Sequence, residues 1–556
     1  MENSEINKVV QENSPWLAGK SDWAKDDGAL RELKLAESEG LFSEPKMYFF
    51  LKKYFFTKIF EDPNAYGIVV IKGPRRIGKT STLKLLIDNS IQEGLPKESF
   101  LYLTLDDDSF FTEIDKKQKL KEILTKIITD YKQKDKPLIL VLDEVTFYKG
   151  WARVLKNLYD SGVIKEGVGV IATGSYSLDL SGAKRELSGR FGPLGEACGE
   201  EIVFPPRRFV EIAETVLGNS NNFRISYARN FATYSKKMGI LEYLAGFQTE
   251  EDNEKYKYRI KLDNVLKKYY EDLHQLFVDT YIYAGGYPRK VYQSLISIRA
   301  GKINIPDERY LSDIYQLIVS DVTKFRLSEE VIRQMLRKME HPSFQIGGDL
   351  DFFCNLDKNI KLEECKKYLE YLSSSGLFEF IPAITNPSQI VLDKNLVNPT
   401  TTKLKFCLND PAVFLAIYFG SRGMRKIFEN SQILFEKEPK VRELLYEAIT
   451  IAHTAYINPI RNNDPKTLAF ILDIENKTEE ELSDVLGWYS NYRKRLIVVP
   501  IEVKTGRLNY DELNRKADKL KEKYSINKLI VVADTDKIEI TEKLSIIPIE
   551  IFLLLI

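Results

Sequence analysis

Between residues 60 and 205 the chain alternates short, β-branched apolar runs with stretches of helical periodicity. Gly67–Ile71 is a run of the length and composition of a buried strand. A Gly-rich turn follows, then a helical pattern through Leu83, Leu86 and Ile87. Phe100–Leu105 is a second strand, closing on Asp106, Asp107 and Asp108. Residues 116–133 read as helix, Pro137–Leu142 as a third strand and Val168–Thr173 as a fourth. Strands alternating with helices predict a parallel α/β sheet covered on both faces.

The pattern changes after this block. Residues 206–325 carry helical periodicity, and residues 326–425 mix short helices with a small sheet. Beyond about 430 come a helix, several strands, a Lys-rich helix and two more strands, a second α/β unit. The closing Ile547–Ile556 is apolar apart from Glu550 and reads as a buried last strand. Residues 1–40 are polar but hold Trp16 and Trp23, as an arm packed on the next domain would. The expected organisation is an arm (1–40), an α/β core (41–205), a helical lid (206–325), a small mixed domain (326–428) and a C-terminal α/β domain (429–556).

Composition narrows the function classes. The 556 residues carry 81 Lys+Arg against 81 Asp+Glu, so any nucleic-acid contact must come from a local patch. Cys198, Cys354, Cys365 and Cys407 are far apart and none forms a CxxC pair, which speaks against a disulfide framework or a structural zinc site. His274, His341 and His453 lack neighbouring nucleophiles or ligands and are expected to be packing or surface residues. The polar, acid-containing N-terminus is unlike a signal peptide, and no apolar stretch approaches the roughly 20 residues that span a bilayer. A soluble, cytoplasmic chain with no membrane contact is the expectation.

Gly73–Thr80 matches G-x-x-x-x-G-K-[ST] between a predicted strand and a predicted helix, the context the motif needs. Its glycines let backbone N–H groups approach phosphate, and the helix N-terminus adds unpaired donors. Gly73, Gly78, Lys79, Thr80 and Ser81 are therefore candidate ATP-binding residues: Lys79 for the β/γ-phosphates, Thr80 for Mg²⁺. The run Leu138–Leu142 delivers Asp143 and Glu144 to the same sheet edge, Asp143 to hold Mg²⁺ and Glu144 to polarise the attacking water. Thr173 ends the next strand, where a polar group can sense the γ-phosphate. Arg185 and Arg190 follow; an arginine here could neutralise transition-state charge in cis or from a neighbouring subunit, or form a surface ion pair.

These segments carry a family resemblance. GPRRIGKTS, LVLDEVTFYKGWARVLKNLYDSG, IATGSYS, ELSGRF and YAGGYPRKV resemble, in this order, the archaeal and bacterial AAA-superfamily ATPases that join a P-loop core, a winged-helix region and a restriction-endonuclease-like C-terminal domain. The resemblance implies ATP with Mg²⁺. It also implies that Gly286-Tyr287-Pro288 corresponds to a Gly-x-Pro element set against adenine, Pro288 being the contact. Phe204–Phe209 departs from the family pattern at the lid. No guanine-type Asn-Lys-x-Asp motif is completed at Asn527-Lys528.

Leu362–Leu377 is an amphipathic helix with a Gly stop, and Phe378–Pro382 and Lys403–Cys407 are candidate wing strands; together they resemble a winged helix. The helix mixes acids and lysines, unlike a groove-reading helix, so a protein-contact or lid role fits it better than DNA binding. In the C-terminal unit, Glu502 and Lys504 share one face of a strand because side chains alternate. A turn at Asn491–Arg495 would set Asp484 opposite Glu502, and Glu443 or Glu447 on an upstream helix offers a further acid. This order resembles a PD-(D/E)xK nuclease core, in which Asp484 and Glu502 would bind Mg²⁺ and Lys504 position water; exposed E-x-K pairs are also common on ordinary strands. Three readings follow: an ATP-driven switch controlling the nuclease-like domain, an active ATP-regulated nuclease cutting DNA or RNA, or a scaffold binding nucleic acid, a protein partner or a second copy of itself.

Overall fold

A computed structural model describes residues 3–20, 22–106, 120–133, 136–174, 177–218, 234–247, 252–301, 308–338, 348–349, 354–355, 360–391, 396–397, 403–421, 431–455, 468–475, 478–490 and 496–556. The Asp107–Asp108 pair, His341 and the Asn491–Arg495 turn lie outside them.

The first sheet has five parallel strands: β1 (Gly67–Lys72), β2 (Phe100–Thr104), β3 (Leu138–Asp143), β4 (Val168–Gly174) and β5 (Glu201–Val203). Their order across the sheet is β2-β3-β4-β1-β5. Alternation sorts the side chains: Ile68, Val70, Leu101, Leu140 and Val170 join one core, while Val69, Ile71, Tyr102, Val141 and Ile171 join the other. Both faces are buried, as expected for parallel strands with helical crossovers.

The N-terminal arm closes the open edge of this sheet. Beside β2, Ser14 Oγ both donates to the carbonyl of Tyr102 (3.0 Å) and accepts from its N–H (2.9 Å). Trp16 Nε1 donates to the carbonyl of Phe100 at 3.0 Å, and Asn13 Oδ1 accepts from Thr104 N at 3.1 Å. Side chains here take the place of a neighbouring strand, so the edge offers no free ladder. Trp16 and Trp23 pack ring to ring, centroids 4.8 Å apart.

Among the described residues, 209–301 are mostly helical, with a 25-residue helix at Asp252–Leu276. The second sheet has nine strands: β6 (Gly348–Asp349), β7 (Phe378–Ile384), β10 (Lys403–Leu408), β11 (Leu468–Glu475), β12 (Thr478–Ser490), β13 (Leu496–Lys504), β14 (Leu529–Ala533), β15 (Glu539–Ile540) and β16 (Leu544–Pro548); β8 (Ile390–Val391) and β9 (Leu396–Val397) form a separate pair. The expected wing strands β7 and β10 do pair antiparallel. They also continue into the C-terminal sheet, since β7 runs parallel to β11 with Phe470 opposite Ala383. One sheet thus crosses the boundary expected at 428/429.

Two expectations are corrected. Ile549–Leu555 is a fully buried helix packed behind the sheet; the last strand stops at Pro548. A short, uniformly apolar run has no periodicity with which to tell a buried strand from a buried helix. Cys354 and Cys365, expected to be unpaired, form a disulfide across a Cα–Cα distance of 5.6 Å, while Cys198 and Cys407 are free and buried. Sequence spacing held no sign of the pairing, because the chain's return to Cys365 at the start of the helix Leu362–Ser374 depends on how that helix packs.

Candidate functional site

β1 ends where the backbone must turn tightly. A Cβ on Gly73 would lie 2.4 Å from the carbonyl oxygen of Phe204, so only glycine fits. Gly78 has φ 96° and Arg76 φ 66°, left-handed positions that curl the loop before the helix Lys79–Gln92 begins. The buried Lys79 folds back, its Nζ donating to the carbonyls of Gly73 and Pro74 at 2.8 Å each. Burial pushes its pKa down from 10.5 to about 8, against the pull of Glu144 and Asp143.

Because β4 separates β1 from β3, the crevice at the strands' C-terminal ends is bordered by the loop on one side and Asp143 on the other. Thr80 Oγ1 donates to Asp143 Oδ2 at 2.5 Å, so the two groups proposed for Mg²⁺ are already adjacent. Tyr102 donates to the same oxygen at 2.5 Å. Sequence reading missed Tyr102; its β2 position, one strand over from Asp143, was the available signal. Glu144 takes φ 52°, an uncommon conformation for a non-glycine residue. Thr173 is fully buried and its hydroxyl has no hydrogen-bond partner among the described residues.

A cavity of about 770 Å³ opens here. Gly78, Lys79, Thr80, Ser81 and Glu144 line its phosphate end. Leu33 and Ala36 of the arm, Phe42, and Tyr287 and Pro288 also line it. Pro288 opens the helix Pro288–Arg299, and its Cγ lies 3.6 Å from where a Gly78 Cβ would be. Phe42 is stacked under the Arg207 guanidinium, 4.6 Å from ring centroid to Cζ. The arm's part in this wall had no sequence signal, since Leu33 and Ala36 look like ordinary helix-face residues.

Arg190 is not part of this site. It pairs with Asp160 at 2.7 Å beside Phe191, whose carbonyl accepts from Ile68 N at the start of β1. That is the sheet edge opposite the phosphate loop, so Arg190 cannot act in cis. The loop's own arginines reach the helix Glu308–Asp321: Arg76 to Asp313 at 3.0 Å and Arg75 to Asp321 at 3.5 Å.

The C-terminal carboxylates do converge. The β12–β13 register puts Val485 opposite Ile501, the residues next to Asp484 and Glu502. Asp484 Oδ2 accepts from Val503 N at 2.6 Å. The buried Glu502 accepts from Lys504 at 2.7 Å and from Lys516 at 2.6 Å. Of the two helix acids, Glu447 joins the group, while the exposed Glu443 pairs with Lys440. Glu481 joins as well.

The residue sequence reading missed is Lys405. It projects from β10, is 1% exposed, and its Nζ bonds Glu447 at 2.5 Å, Glu481, and Asp484 Oδ1 at 3.4 Å. Burial pushes Glu447 up to about 7 despite Lys405. Asp484 is held below its ordinary value because Lys405, Lys504 and Lys516 outweigh burial.

The family described as an AAA domain matches residues 65–212. The P-loop region is thus similar to AAA domains. Among solved structures, Aeropyrum pernix Orc1 in complex with DNA is similar at 12% identity over 68% of this chain and 92% of that one, TM-score 0.30. Cdc6p from Pyrobaculum aerophilum is similar at 13% over 68% and 94%, TM-score 0.24. AMPPCP-bound DnaA from Aquifex aeolicus is similar at 14% over 57% and 85%, TM-score 0.21. No curated protein matches. Among the described residues, no helix is long and apolar enough to cross a membrane.

Proposed function

We propose that this chain is an ATPase that binds Mg-ATP between its P-loop core and the helices beyond it, and uses hydrolysis to reset a C-terminal nuclease-like domain. The observation that carries this reading is the shared cavity: the phosphate loop of the core, the arm and the Tyr287–Pro288 turn all line it. A nucleotide filling it would tie these elements together, and product release would free them.

Thr80 and Asp143 are adjacent oxygen donors suited to Mg²⁺, which would bridge phosphate oxygens and offset their charge. Lys79 would exchange its two carbonyl partners for the β/γ-phosphates. Glu144 lines the cavity beside them and would orient and deprotonate the attacking water. Thr173 would hydrogen-bond the γ-phosphate with a hydroxyl that otherwise lacks a partner. Pro288 and Tyr287, with Phe42, would face the base. A transition-state arginine would come from a protein partner or a second copy, which keeps Arg190 in play only in trans.

The test is ATP hydrolysis with nucleotide binding measured alongside. Lys79→Ala should abolish both, and Glu144→Gln should keep binding while stopping turnover. Hydrolysis that survives Lys79→Ala in purified protein would sink the reading. The active-nuclease reading draws on the convergence of Asp484, Glu502, Lys504 and Glu447, and on nothing that indicates DNA over RNA.

A further inference from the structure

A divalent ion bound by carboxylates would need their oxygens close together. Oxygens opposite each other around Mg²⁺ lie about 4.2 Å apart, twice the roughly 2.1 Å metal–oxygen distance. One oxygen each from Glu447, Glu481 and Asp484 lies within 4.8 Å of the others, a grouping that could hold one ion, and the Lys405 ammonium is bonded to all three residues. Lys405 also donates to the backbone carbonyl of Asp484 at 3.2 Å. Its stem runs past the ring of Phe470, the ammonium 5.7 Å from the centroid. An ammonium thus stands among acids grouped closely enough to hold an ion. A second observation points to a ligand here: Glu502, 1% exposed, gives its Oε1 to Lys504 and Lys516 but keeps its Oε2 without a hydrogen-bond partner among the described residues.

We propose that Lys405 is an internal cation that plugs the carboxylate site of the C-terminal domain, and that a divalent cation enters only when β10 withdraws it. The plug is placed to be moved. Asn409, next after β10, donates from Nδ2 to the carbonyl of Gly376 at 3.2 Å, and Gly376 abuts Pro74 of the phosphate loop. Asp410 accepts from Gly286 N at 2.6 Å, immediately before the Tyr287–Pro288 turn that lines the nucleotide cavity. Lys405 and Asp410 are five residues apart in one strand and its continuation, so a shift of the turn is transmitted to the plug. This second half rests on the ATP-switch reading; the plug itself does not.

The test counts bound Mn²⁺ by electron paramagnetic resonance in the full-length protein without nucleotide, alongside ATP hydrolysis in the same preparations. The parent should bind no Mn²⁺ at the C-terminal site. Lys405→Met should gain one site, roughly tenfold or more tighter than anything in the parent, and adding Asp484→Asn should remove it. Should Lys405→Met fail to fold, Lys405→Met/Glu481→Gln carries one acid fewer and keeps Glu447, Asp484 and Glu502. Equal Mn²⁺ binding by parent and variants, or none by a folded variant, overturns the plug. A parent that stays closed with the non-hydrolysable analogue AMPPCP, while Lys405→Met opens, overturns only the transmission through β10. Lost hydrolysis with an intact plug result would count against the switch alone.

Discussion

Replacing Lys79 by Met should make the nucleotide-free protein more stable while ending its ability to bind ATP. The ammonium is buried, and its pKa falls from 10.5 to about 8 chiefly through desolvation. At about 1.4 kcal/mol per tenfold, that shift costs the fold about 3 kcal/mol. The sign follows from linkage: between pH 8 and 10.5 the unfolded chain binds the proton and the folded one does not, so stability rises with pH through that window. Below pH 8 both states are charged and the full cost is present. Met keeps the stem and removes the charge, but leaves the carbonyls of Gly73 and Pro74 without their donor, a loss of about 1 kcal/mol or somewhat more. The net expectation is a gain of roughly 1–2 kcal/mol at pH 7. Urea unfolding of nucleotide-free parent and variant measures it, with fluorescent-ATP titration on the same samples. The same shift implies that the parent's ATP affinity declines above about pH 8, where free Lys79 loses its proton. A variant less stable than the parent at pH 7, or an affinity that stays flat to high pH, would refute the argument that the loop stores an uncompensated charge for the triphosphate.

Thr173→Val removes a buried, unpartnered hydroxyl at constant shape, so stability should hold or rise by about 1 kcal/mol, while turnover falls with little change in ATP affinity. His453 is buried, its Nδ1 bonded to the carbonyl of Ile449 and its Nε2 accepting from Phe209 N, and burial lowers its pKa to about 4. It should therefore stay neutral while the unfolded chain protonates, removing up to about 3 kcal/mol of stability as pH falls from 6.5 to 4; a His453 imidazole resonance titrating near 6.5 by NMR would contradict this. Reducing the Cys354–Cys365 bond should cost about 2–3 kcal/mol, read as a lower urea midpoint, and the unreduced, denatured chain should show the two thiols of Cys198 and Cys407.

Much of the candidate phosphate site was legible because its residues are local in sequence. The loop glycines, Lys79 and Thr80 lie in one short segment whose backbone makes the cradle, and an apolar strand ending in Asp143-Glu144 has few places to go in a parallel sheet. The placing of Asp484 and Glu502 on neighbouring antiparallel strands was equally local, since two apolar runs close in sequence favour a hairpin. Arg190 could be read only as an arginine after a strand. Its side of the sheet depends on the path back to the start of β1, which no spacing encodes.

The sequence by itself determined the elements, the alternation that buries both faces of the first sheet, and the residues whose partners lie within one turn, strand or hairpin. Tertiary structure decided the rest. The arm's helix became a wall of the nucleotide cavity, and a terminal apolar run settled as helix because nothing in its pattern distinguished the two. Lys405 shows the reason most directly. In sequence it is one lysine on a half-polar strand, 79 residues from Asp484; it meets the carboxylates because β7 joins β11 and carries β10 into the same sheet. A contact of that kind is fixed by the order of strands, which hydrophobic periodicity does not specify.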